Sequence, residues 1–173
     1  FTDLDRILGG LQRADLVILA GRPSLGKSTL ALDMAHNAAK EGATVGIFSL
    51  EMSQEQLVLR LLSSEAEVDS HLLRLNLITE QQQQRVINAV GGLSALPIFI
   101  DDSPLQNIVE IRSKARRLSM ERGLDLLIVD YIQLLQGGGR QDNRVQEMSD
   151  ISRALKGMAR DLKVPLIAIS QLS

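Results

Sequence analysis

One stretch limits what this chain can fold into more than any other: Gly21-Arg22-Pro23-Ser24-Leu25-Gly26-Lys27-Ser28, a Gly-x-x-x-x-Gly-Lys-Ser loop followed by Thr29. Residues 15–20, Asp-Leu-Val-Ile-Leu-Ala, read as a buried strand leading into it. Residues 27–40 read as a helix leading out, with Leu30, Met34 and Ala38 at helical spacing. A strand that turns into a helix through such a loop is a phosphate-binding unit. The loop wraps backbone N–H groups around an anion, and the positive end of the helix dipole lies behind it. Gly21 and Gly26 permit backbone angles and close approach that a Cβ would block. The pattern assigns Lys27 to the β- and γ-phosphates and the Ser28 hydroxyl to Mg²⁺.

The rest of the chain fits that unit into a layered fold. Short apolar runs at 15–20, 45–50, 98–101, 126–130 and 165–170 alternate with amphipathic stretches. This is the pattern of a mainly parallel sheet covered by helices. The runs are β-branched or leucine-rich, as strands buried on both faces should be. Ser53 and Thr79 read as helix N-caps, Ser53 with Gln56 at the capping-box position. The Thr79 helix is expected to run to Val90, before Gly91-Gly92. Residues 144–163 place Val145, Met148, Ile151, Leu155, Met158 and Leu162 on one stripe. No internal repeat or long linker marks a second domain, so residues 1–173 read as one α/β domain.

A phosphate loop implies nucleotide binding; hydrolysis needs a second Mg²⁺ anchor and a group that activates water. Leu126-Leu127-Ile128-Val129-Asp130 is an apolar strand ending in a carboxylate, and ligands in open α/β sheets sit beyond the carboxyl ends of strands. Asp130 is therefore the candidate Mg²⁺ anchor. Tyr131 follows it where many such ATPases carry a water-activating Glu. The candidate base is instead Glu51, at the end of Ile47-Phe48-Ser49-Leu50. Gln171, at the tip of the last strand, could donate its amide to a γ-phosphate. Residues 137–144, Gly-Gly-Gly-Arg-Gln-Asp-Asn-Arg, form a glycine-rich charged stretch. It reads either as a plain connector or as a loop that orders on a nucleic-acid backbone, with Gly139, Arg140, Asn143 and Arg144 as the contact candidates.

Composition removes several classes. With no cysteine there is neither a disulfide framework nor a thiolate metal site. The apolar runs are too short to span a bilayer, and the start does not read as a secretory leader; the expected compartment is the cytoplasm. A net charge of −2 gives no global basic signature, so any nucleic-acid contact must come from local patches or several copies acting together. With 2% aromatic residues, a base-stacking platform is disfavoured. His36 and His71 have no partners at ligand spacing and read as structural or solvent-facing. Arg112, Lys114, Arg116, Arg117 and Arg122 read first as a solvated helix face, otherwise as a subunit or DNA contact. A GTPase is disfavoured because no Asn-Lys-x-Asp segment is present, and a small-molecule kinase because no arginine-rich lid is found.

These segments resemble the RecA-like motor domain of bacterial replicative DNA helicases of the DnaB family, over essentially the whole chain. The resemblance is carried by Phe1-Thr2-Asp3-Leu4-Asp5, by residues 20–28, by Phe48-Ser49-Leu50-Glu51-Met52-Ser53, by Val129-Asp130-Tyr131-Ile132-Gln133-Leu134 and by Ile169-Ser170-Gln171-Leu172-Ser173. It implies a homohexameric ring that hydrolyses ATP with Mg²⁺ and moves along single-stranded DNA to open a duplex. A helicase loader and primase are implied as partners through regions outside this chain. It gives Lys27 and Ser28 to phosphate and Mg²⁺, Asp130 to Mg²⁺, Glu51 to water and Gln171 to the γ-phosphate, and puts the 137–144 region against DNA. The family's arginine finger lies downstream of the segment matching Gln171. The chain is therefore expected to be a piece of a longer protein, by itself monomeric and weakly active. Two other readings stay open: a different RecA-like ATPase, recombinase or remodeller, and a nucleotide-gated binding module.

Overall fold

A computed structural model describes residues 1–130, 132–134 and 144–172. Five strands form one parallel sheet: β1 (Leu16–Gly21), β2 (Val45–Ser49), β3 (Ile98–Asp101), β4 (Leu126–Asp130) and β5 (Leu166–Gln171), in the spatial order β1-β5-β4-β2-β3. Seven α-helices are described: α1 (Thr2–Leu8), α2 (Lys27–Lys40), α3 (Gln54–Ala66), α4 (Ser70–Leu75), α5 (Glu80–Ser94), α6 (Ile108–Arg122) and α7 (Arg144–Leu162), with a 3₁₀ turn at Ile132–Leu134.

Strand alternation sorts the side chains into two cores. Leu126, Ile128, Ile167 and Ile169 point to one face, with Ala31, Leu32 and Ala35 of α2 and Leu57 and Leu61 of α3. Leu127, Val129, Leu166 and Ala168 point to the other, with Ile111 and Ala115 of α6 and Ile151, Leu155 and Met158 of α7. The period of two along each strand puts helices on both faces. A smaller cluster ties Ala66 and Val68 to Ala89 of α5. Met148 and Leu162 flank the α7 stripe as expected, and the side chain of Val145 lies outside the described residues.

Three expectations need correction. β2 and β4 are fully buried, but β1 is only half-buried and Ile18 is 44% exposed. The strand order places β1 at an edge, where apolar composition alone cannot bury it. The Thr79 helix does not stop at Val90 but continues through Gly91-Gly92 to Ser94. It packs against α3, and that tertiary contact offsets the roughly 1 kcal/mol each glycine costs in a helix. Strand ends also shift by one residue, so that Gly21 closes β1 and Gln171 closes β5.

The topology decides where a ligand can sit. After α2 the chain crosses past β5 and β4 to reach β2, then returns to fill the middle of the sheet. The carboxyl ends of β1, β5, β4 and β2 thereby stand side by side along one rim. Gly21 registers with Gln171 and Ser49 with Asp130, so residues far apart in sequence become neighbours across a strand pair.

Candidate nucleotide site

The phosphate loop bridges the end of β1 and the start of α2. Its path turns on two left-handed residues, Ser24 at φ 62° and Gly26 at φ 81°. Gly26 is the N-cap of α2 and makes no side-chain capping bond, and no acidic residue occupies the first turn. The first N–H groups of a 14-residue helix are thus left to an incoming anion. Gly21 has no positive φ; what it supplies is space, since a Cβ there would meet the Lys27 stem at 3.4 Å. Lys27 Nζ donates to the Arg22 carbonyl at 2.8 Å, which folds the ammonium back over the loop.

Asp130 ends β4 with 4% of its surface exposed, and its Oδ1 has no hydrogen-bond partner. Burial pushes this carboxyl above its ordinary range and the charge of Glu51 adds to that, while the Ser28 hydroxyl, Lys27 and Arg60 pull it down. Glu51 sits in the turn between β2 and α3. The buried Ser49 staples that turn: its Oγ donates to the Met52 carbonyl at 2.7 Å and accepts from Met52 N–H at 3.2 Å. Leu50 N–H donates to the Asp130 carbonyl, and Ser53 opens α3 with a full capping box through Gln56. On the outer side, Asp102 Oδ2 accepts from Gln54 N–H at 2.7 Å. Glu51 is held between fixed points on β2, β4 and α3.

Gln171 is held by its backbone. The Gln133 side chain, from the 3₁₀ turn after β4, donates to the Gln171 carbonyl at 2.8 Å and to Ser170 Oγ at 2.8 Å, and accepts from Gln171 N–H at 3.2 Å. The Gln171 side chain is left exposed on the rim.

Pro23, Ser24, Gly26, Lys27, Ser28, Glu51, Asp130 and Gln171 together line one pocket of about 450 Å³. Gly21, Arg22, Leu25 and Thr29 belong to the loop but flank the pocket instead of lining it. Met52, Gln56, Arg60 and Ile169 complete the wall, and sequence reasoning singles out none of these four for the site. Gln56 and Arg60 are four apart on α3, a spacing that puts both on one helix face. That spacing is visible in the sequence, but the direction of the face is not.

The remaining candidates lie elsewhere. Gly139, Arg140 and Asn143 fall outside the described residues. Arg144 opens α7, and its side chain also lies outside them. His36 is buried, with Nε2 3.4 Å from Glu65, which Lys40 also contacts. Burial and Lys40 hold its pKa below the ordinary value against the pull of Glu65 and Asp33, which is a structural setting. His71 faces solvent beside Arg74. On the basic helix, Arg112 pairs with Asp161, Lys114 with Asp101 and Arg117 with Glu121. Arg112 and Lys114 are thus paired across elements, and Arg117 makes an exposed contact along α6. Among the described residues no helix is long and apolar enough to cross a membrane.

The chain matches the family model described as DnaB-like helicase C terminal domain over residues 1–173. It belongs to that family. It is 52% identical over 176 residues to the replicative DNA helicase DnaB of Nostoc sp. (strain PCC 7120), covering 100% of this chain and 20% of the relative. It is 51% identical over 175 residues to the replicative DNA helicase DnaC of Bacillus subtilis (strain 168), covering 100% of this chain and 38% of that protein. Among solved structures, one described as an ATPase domain superposes with a TM-score of 0.93 at 35% identity, over 100% of this chain and 62% of that one. A DnaB-like replicative helicase whose interactions with primase are described superposes at 0.94 and 34%, over 100% and 42%. The fold is therefore that of DnaB-like ATPase domains, RecA-like and parallel. The chain spans well under half the length of the curated relatives it matches.

Proposed function

We propose that this DnaB-like domain is the ATP-hydrolysing motor of a replicative DNA helicase. In this reading it works in a homohexameric ring that moves along single-stranded DNA in the cytoplasm, with a loader and primase as partners of the whole protein. The observation that carries the reading is the convergence of an uncapped helix N-terminus, Lys27, Asp130, Glu51 and Gln171 on one pocket, in a chain of this family. Pocket and loop suit a nucleoside triphosphate: Lys27 swings from the Arg22 carbonyl to the β- and γ-phosphates, and the N–H groups of α2 donate to them. Glu51 orients and deprotonates the attacking water, and Gln171 contacts the γ-phosphate.

The donor set fits Mg²⁺. The buried, unpartnered Asp130 Oδ1 and the Ser28 hydroxyl are hard oxygen ligands. Among the described residues no three His, Cys, Asp or Glu side chains converge on a cation, which agrees with an ion that arrives with the phosphates and keeps several waters. Bound there, it would neutralise charge on the phosphate oxygens.

The test is ATP turnover by the full-length protein, with and without single-stranded DNA, wild type beside Glu51→Gln. Turnover should rise with DNA, and the variant should lose about 10²- to 10⁴-fold. Turnover indifferent to DNA would mark another RecA-like ATPase. Turnover unchanged in the variant would take the water-activating role away from Glu51, and turnover absent in wild type would mark a nucleotide-gated binding module.

A further inference from the structure

We propose that the groove between β3 and α6 is a docking site for an extended acidic segment of a partner protein. The segment pairs with the free edge of β3, seats an apolar side chain on Phe99 and sets carboxylates on Arg117 and Arg122.

Strand order leaves β3 at one end of the sheet, bonded to β2 alone among the described residues. The Pro97 carbonyl accepts from Val45 N–H at 2.9 Å. Backbone groups alternate sides along a strand, so Phe99 and Asp101 also turn theirs toward β2, and Ile100 turns its N–H and C=O outward. An edge left in this way is a template for another chain. Beside it lies a groove of about 390 Å³. Phe48 and Phe99, two of the chain's three phenylalanines, line it together with Leu118 of α6. Phe48 is buried, while Phe99, next to Gly46 in the register, is 37% exposed. The Ile100 side chain packs on the opposite core, so Ile100 lines the groove with its backbone, which joins the apolar floor to the free edge.

The rim selects the occupant. In a chain of net charge −2 it carries three cations, Lys114, Arg117 and Arg122, against two carboxylates, Asp101 and Glu121. Lys114 is committed, since it pairs with Asp101 at 2.7 Å and bonds to Ser103 and Gln106. Arg117 reaches Glu121 only at 3.6 Å, past hydrogen-bond length, with both side chains exposed. Such a pair is weak and readily exchanged for a better acceptor. Arg122 has no carboxylate within ion-pair distance among the described residues. Two guanidinium forks beside an apolar floor match carboxylates that flank an apolar side chain. The groove's own carboxylates oppose a bare phosphate backbone, and its strand edge offers main-chain bonds that only a peptide can complete.

The probe is a fluorescent peptide of alternating aspartate and apolar residues, titrated into the full-length protein and read by anisotropy. One comparison peptide carries lysine for aspartate. Two others are N-methylated on alternate residues, one in each register, which removes strand pairing and keeps the side chains. The acidic peptide should bind saturably. The lysine peptide, and the N-methylated peptide whose blocked groups face β3, should each bind at least about tenfold more weakly. Arg122→Glu, in the exposed last turn of α6, should weaken the acidic peptide about three- to tenfold, and Phe99→Ala about fivefold. The Arg122 variant carries the test should the Phe99 variant fail to fold. No saturable binding, equal binding of the lysine peptide, or wild-type affinity in Arg122→Glu overturns the proposal. Undiminished binding of both N-methylated peptides removes the strand pairing and overturns it as well. A single-stranded oligonucleotide that loses as much affinity as the peptide in Arg122→Glu would make the rim a nucleic-acid patch, which also overturns it.

Discussion

Asp130 shows most plainly that the site is built at the expense of the fold. A carboxylate with 4% exposure and an unpartnered oxygen is disfavoured in its ionised form, and burial raises its pKa accordingly. A raised folded-state pKa means that the proton is held more tightly folded than unfolded. The penalty is therefore absent below the ordinary Asp value of 3.8 and grows as pH rises through the raised one. Replacing the charge should relieve it. Asp130→Asn should stabilise the nucleotide-free protein at pH 7 by about 1 kcal/mol, a rise of about 2–4 °C in Tm for a domain of this size. The gain should shrink toward zero as the pH is lowered to about 4, while ATP turnover is lost. Thermal melts at the two pH values check it; equal or lower stability for Asn at pH 7 would mean that Asp130 is well solvated or paired after all.

At the level of elements, the rim depends on how closely the helices can approach the sheet. Gly46, the second residue of β2, is a point where α6 and the segment after it pack close. A Cβ there would lie 3.1 Å from Leu118 Cδ2 and 3.2 Å from Leu124 Cδ1. Gly46→Ala should therefore destabilise by about 1–3 kcal/mol through overpacking. Gly157→Ala, in α7 with nothing within 4 Å of the added atom, should instead stabilise by about 0.5–1 kcal/mol. Denaturant titration of the two variants separates packing from helix propensity; if both moved in the same direction, the tight seat of α6 on β2 would be wrong. The contrast also shows what the sequence could reveal. The strand–loop–helix around Lys27, and the positions of Asp130 at the end of β4 and Glu51 just past β2, were legible because each follows a local pattern of strand and turn. Gln133 was not legible as the clamp on Gln171, because its partner lies 38 residues away and only the β4–β5 pairing brings them together. Arg60 escaped because its partner Thr29 lies 31 residues away on α2. Helix α4, six residues long, is too short to show a period, and the edge position of β1 is a property of strand order, which composition does not encode.

For the whole molecule, the proposed function asks how a chain of net charge −2 would engage a polyanion. Arg112 and Lys114 are paired with carboxylates on α7 and β3, and Arg117 with Glu121 one turn on in α6 itself, so α6 offers less free charge than its composition promises. The remaining route is a small patch repeated by symmetry, and Arg140 and Arg144 of the 137–144 stretch are the sequence's candidates for it. If each subunit of a six-membered ring places Arg140 on a phosphate, one substitution removes about six ionic contacts at once. The slope of log K against log salt for single-stranded DNA changes by about 0.7 per contact, so Arg140→Ala should flatten it by about 4 in the full-length protein. The loss should be similar for all base sequences, because phosphate contacts position the strand and do not read it. Binding titrations over a range of salt, on two oligonucleotides of different composition, measure both. A flattening of about 0.7 would mean that one subunit at a time holds the strand through this residue, and an unchanged slope would return the glycine-rich stretch to a plain connector.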